Sequence, residues 1–106
     1  MKQYRVNYIT DLDLFIVQYK LWFLWFNGRF FNSYENANQY KNLLEEKERV
    51  FAHAVDVFGN KRKAKRWFKS SIKALNYRSP ANYMNSPEGI VEVDNILYRI
   101  EHGIYS

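Results

Sequence analysis

A chain of 106 residues is long enough for one domain with a modest core, or for a small domain with an N-terminal extension. It contains no cysteine, which excludes a disulfide framework, a thiolate metal site and a thiol nucleophile. The formal net charge of +5 favours an anionic partner, and its excess is uneven: residues 1–49 carry seven Lys/Arg against six Asp/Glu, residues 50–106 nine against five.

Residues 1–10 lack the basic-then-apolar layout of a secretion signal. The most apolar run, residues 14–26, is too short for a bilayer and carries Gln18 and Lys20, so a soluble cytoplasmic protein without membrane contact is expected. Aromatic residues make up 19% of the chain, enough that some rings must remain on the surface, where a patch of them marks a partner site.

In chain order, Tyr4, Val6 and Tyr8 alternate and fit a short strand. Thr10 can cap a helix with Asp11 and Asp13 in its first turn, which predicts a helix over residues 11–26, apolar nearly all round. Asn27-Gly28 then ends it, although the same pair between Leu24-Trp25-Phe26 and Arg29-Phe30-Phe31 is also a strong β-hairpin signal. The helix stop is the preferred reading.

Asn32 or Ser33 caps the next helical pattern, in which Ala37, Tyr40, Leu44, Phe51, Val55 and Phe58 share a face, as one long helix or two. Glu45, Glu46 and Glu48 point in different directions on a helix and read as a solvated face. His53, set among Phe51, Ala52 and Ala54, reads as a packing or surface residue, and nothing like metal-ligand spacing joins it to His102. Gly59 closes this helix and Asn60 caps the following one.

Residues 61–69 are strongly amphipathic: Ala64, Trp67 and Phe68 form the apolar stripe, and Lys61, Arg62, Lys65, Arg66 and Lys69 the opposite face. Cations at a helix N-terminus oppose its dipole, so Lys61, Arg62 and Lys63 weaken this helix slightly. The open readings for the basic face are phosphate contact, an acidic protein partner and plain solvation. Residues 70–78 form a loop tethered by Ala74-Leu75, and Ser79-Pro80 restarts a short helix.

Ser86, Pro87 and Glu88 give the clearest helix start in the chain: a cap, a proline at the first helical position and an acid in the first turn. Ile90, Val93, Leu97 and Ile100 follow on one face, and Gly103 stops the helix. Ile104, Tyr105 and Ser106 remain beyond the stop, either folded back on the core or held out to a partner.

The second half resembles the toxin-binding domain of the Xre/MbcA/ParS antitoxins, which pair with RES-domain toxins. The resemblance rests on Phe58-Gly59-Asn60, Ala64, Arg66-Trp67-Phe68, Ala74-Leu75, Ser79-Pro80, Gly89, Leu97 and the ending Arg99-Ile100-Glu101-His102-Gly103-Ile104-Tyr105-Ser106. It departs from the family where prolines and a Gly-Gly pair are usual, since Ser71, Lys73, Asn76 and Tyr77 stand there, and Tyr77 takes a positive φ only at a cost. The resemblance implies an antitoxin that neutralises a NAD-consuming RES-domain toxin, with Arg99, His102, Gly103, Ile104, Tyr105 and Ser106 as its inhibitory edge.

Family members commonly carry an N-terminal helix-turn-helix, but residues 14–31 show no polar recognition helix, which weakens without removing the alternative reading of a DNA-binding autoregulator of a toxin-antitoxin operon; a degenerate member acting as a helical dimerisation module is the other alternative. No catalytic constellation, cofactor loop or metal-ligand set is present in the sequence, so a non-enzymatic binding module is expected. The predicted fold is mainly α: an aromatic N-terminal segment over residues 1–49, helix or alternatively β-hairpin, and an antitoxin-like helical domain over residues 50–106. The aromatic excess of residues 21–31 further suggests a homodimer.

Overall fold

The computed structural model describes residues 3–21 and 24–103, which divide into two compact units between residues 48 and 49. The first holds three strands, β1 (Gln3–Ile9), β2 (Leu14–Leu21) and β3 (Leu24–Phe31), in an antiparallel sheet of order β1-β2-β3. A single 25-residue helix, α1 (Tyr34–Phe58), begins in this unit and ends in the second. The second unit adds α2 (Lys61–Phe68), a 3₁₀ turn at Lys73–Leu75, α3 (Pro80–Tyr83) and α4 (Pro87–Glu101). None of the described helices is long and apolar enough to cross a membrane.

The sheet corrects the mainly α expectation: the fold is mixed, and the helix predicted over residues 11–26 does not form. Thr10 to Asp13 instead turn β1 into β2, with Ile9 paired to Leu14 and Asp13 in the left-handed region at φ 53. Short polar residues serve turns as readily as helix caps, and Asp tolerates a positive φ. Downstream, Phe15, Ile16, Val17 and Tyr19 are β-branched or aromatic, types that fit a pleated ladder better than a helix. A sheet also gives such a run two separate faces, whereas an apolar helix would need cover all round.

Asn27-Gly28 is neither a helix stop nor a hairpin turn. The chain reverses earlier, since Leu21 pairs with Leu24. Ile16 pairs with Phe30 and Gln18 with Asn27, so Gly28 and Arg29 together oppose Val17 in a β-bulge. A Cβ on Gly28 would lie 2.6 Å from the Val17 carbonyl oxygen, so glycine stands there for close backbone approach.

One sheet face packs on α1. Phe15 meets Tyr34 with ring centroids 5.8 Å apart, and Phe31 meets Tyr40 at 5.3 Å. The Tyr4 hydroxyl donates to Glu48 Oε1 at 3.1 Å; burial, together with that carboxylate, pushes the phenol up to about 12. On the opposite face Arg5 lies 4.0 Å above the Trp25 ring and donates to Gln18 Oε1.

In the second unit the caps fall where the sequence places them. Asn60 Oδ1 accepts from the Lys63 N–H at 2.8 Å, Ser79 Oγ from Asn82 and Ser86 Oγ from Gly89. Gly59 takes φ 91 between α1 and α2. The core gathers Val50, Ala54, Ala64, Phe68, Leu75, Met84, Ile90, Val93, Ile96 and Leu97, all buried, with Phe51 against Phe68 and Phe58 against Trp67. Of the expected Ala74-Leu75 tether, Leu75 alone is buried and Ala74 faces solvent.

Candidate functional site

The final turn of α4 is closed by its own backbone. The His102 N–H reaches the Tyr98 carbonyl and the Gly103 N–H that of Ile100, both at 3.1 Å, and Gly103 takes the left-handed conformation at φ 70. A Cβ at Gly103 would touch nothing, so its conformation alone calls for glycine. His102 and Gly103 are exposed, Arg99 is half-buried, and the exposed Tyr98 ring lies 4.1 Å from the His102 ring. The helix thus ends in a fixed, ring-bearing surface rather than a frayed turn.

Beneath this end lies a charged cluster that joins α1 to α4. His53 Nδ1 is 2.7 Å from Asp94 Oδ1, and its Nε2 is 3.5 Å from Glu101 Oε1. Asp94 Oδ2 also takes a hydrogen bond from Arg49 Nη1 at 3.3 Å, and Glu101 lies 3.6 Å from His102 Nε2. Asp94 and Glu101 are seven residues apart, two helical turns, so both face the same histidine.

Residues 53–103 match the antitoxin Xre/MbcA/ParS C-terminal toxin-binding domain. The C-terminal half of the chain belongs to that antitoxin family. An antitoxin Xre of Photorhabdus laumondii is 46% identical over 59 residues, and one of Yersinia enterocolitica is 42% identical over the same length. Each alignment covers 55% of this chain and 40% of the relative, so the chain matches well under half the length of these antitoxins. No solved structure matches it.

The toxin-binding domain holds Arg99, His102 and Gly103 together at the end of α4, whereas Ile104, Tyr105 and Ser106 lie outside the described residues. The basic residues sit apart from that end in sequence, on α2. Lys61, Arg62, Lys65, Arg66 and Lys69, with Lys63, are all exposed, and among the described residues none has an ion pair. Among the described residues no three His, Asp or Glu side chains are placed to hold a metal ion.

The sequence reading missed the part played by His53 in the domain. Its partners stand 41 and 48 residues away, but the seven-residue spacing of Asp94 and Glu101 was a readable sign of a common target. Burial works against a charge on His53, yet the hydrogen bonds and charges of Asp94 and Glu101 outweigh it and raise its pKa above the ordinary value. A histidine whose folded pKa is raised stabilises the fold fully below its unfolded pKa of about 6.5, and loses that contribution as pH rises through the folded value. The Tm is therefore expected to fall between pH 6 and pH 8 by more in the parent than in His53→Gln. Parallel Tm–pH curves from circular dichroism would contradict this.

Proposed function

We propose that the chain is an antitoxin that binds a NAD-consuming RES-domain toxin in the cytoplasm and neutralises it by direct contact. Residues 50–106 act as the toxin-binding part, with Arg99, His102, Gly103, Ile104, Tyr105 and Ser106 set at or near the toxin active site. The observation that carries the reading is the closed end of α4, where the His102 and Gly103 N–H groups are bonded and Gly103 takes φ 70, inside the family match. A helix end fixed before binding loses little conformational entropy on docking. An aromatic residue just beyond it is a favourable interface anchor.

Inhibition by contact needs no chemistry from the antitoxin itself. The test of binding is size-exclusion chromatography of the full chain mixed at micromolar concentration with a RES-domain toxin from the same genome. Co-elution is expected, and two unshifted peaks would contradict the proposal.

A further inference from the structure

The loop between α2 and α3 holds a conformation that its sequence does not favour. The Ile72 N–H bonds to the Arg78 carbonyl at 3.1 Å, the Tyr77 N–H to the Ile72 carbonyl at 2.9 Å and the Arg78 N–H to the Leu75 carbonyl at 3.1 Å. Ser71 Oγ donates to the Tyr77 carbonyl at 2.7 Å, and Leu75 anchors the loop in the core. These bonds hold two successive residues in the left-handed region, Asn76 at φ 55 and Tyr77 at φ 64. Asparagine adopts that region readily, but a bulky ring-bearing residue is an outlier there.

The backbone bonds hold the turn, but the Tyr77 side chain makes no described contact that would favour a ring at this position over glycine. The Tyr77 side chain is 65% exposed and has neither a ring contact nor a hydrogen bond among the described residues. A glycine would serve the same turn without strain. Lys73 and Arg78, both exposed and without ion pairs among the described residues, belong to the same loop, four residues before Tyr77 and next to it in sequence. Strained residues that the fold does not need are concentrated at binding surfaces, where the compensating contact comes from the partner.

We infer that Tyr77 is a second toxin contact, separate from the end of α4, which fills an apolar pocket rimmed by carboxylates that pair with Lys73 and Arg78. The inference rests on the proposed toxin-neutralising function. Tyr77 lies inside the segment that matches the toxin-binding domain, which favours the toxin over any other acidic protein. A tyrosine loses little conformational entropy on docking and contributes both apolar area and a hydroxyl, so it can determine which toxin is accepted.

The experiment sets stability against affinity in the full chain, using an immobilised RES-domain toxin from the same genome as the probe. Tyr77→Gly is expected to raise the Tm by about 2–5 °C, because strain is relieved, and to weaken toxin binding by about tenfold or more. Tyr77→Phe, which keeps the ring, is expected to bind within about threefold of the parent. A lower Tm in Tyr77→Gly would show that the residue is not strained, and a Tyr77→Gly affinity within about twofold of the parent would show that the ring is not a contact; either result overturns the inference. A parent chain that fails to bind the toxin would overturn the proposed function and this inference together, whereas a binding parent matched by Tyr77→Gly removes this inference alone.

Discussion

Gly89→Ala is expected to destabilise the toxin-binding half by about 3 kcal/mol or more, enough to lower its Tm by about 12–24 °C. A Cβ on Gly89 would stand 1.9 Å from the Tyr83 carbonyl oxygen and 3.3 Å from Ser86 Oγ. The first of these atoms is backbone, so no rotamer change removes the clash. The Gly89 N–H also donates to the capping Ser86 Oγ, so backing away would break the start of α4. Relief would have to come from moving α3 off the first turn of α4, which opens the core around the buried Met84 and Ile90. Gly103→Ala gives the contrast: no atom lies within reach of its Cβ, and its positive φ alone costs about 1 kcal/mol. Thermal unfolding of both variants checks the pair, and a Gly89→Ala protein that melts with the parent would refute the close approach.

Deleting Ile104, Tyr105 and Ser106 is expected to abolish protection of cells that express the toxin, with toxin affinity falling by about 100-fold. The same deletion is expected to move the Tm by no more than about 2 °C, because α4 closes through the Tyr98 and Ile100 carbonyls before the deleted residues begin. Loss of function with an unchanged fold separates an inhibitory edge from a folding element. Growth rescue by the shortened chain equal to that of the parent would remove these residues from the mechanism.

What the sequence made legible follows the range of the interactions involved. Ser86-Pro87, Ser79-Pro80, Asn60 and Gly103 act on the backbone within a few residues of themselves, so the start of each short helix and the end of α4 could be read directly. The stripe of Ile90, Val93, Leu97 and Ile100 was equally local; the first three are buried, Ile100 is half-buried, and the structure adds Ile96. The strands depend instead on partners across the sheet, such as Tyr4 with Tyr19 and Tyr19 with Phe26. A run as apolar as residues 14–26 has no clear period, and Thr10 with its two aspartates supplied a helix signal that the turn used instead.

Asn27-Gly28 misled for a related reason. Its glycine answers to the Val17 carbonyl eleven residues earlier, a contact that no local rule contains. At the candidate site Arg99, His102 and Gly103 were legible from helix capping and family resemblance. Of the charge that joins His53 to Asp94 and Glu101, the shared face of the two acids was readable but their partner was not, because the contact forms only when α1 and α4 pack.

The most direct test of the central claim is NAD consumption by a purified RES-domain toxin titrated with the full chain. The account predicts that the rate falls to background near equimolar antitoxin, and that the chain lacking residues 104–106 leaves the rate high at the same concentration. Undiminished NAD consumption at saturating full chain, or equal inhibition by the shortened one, would contradict it.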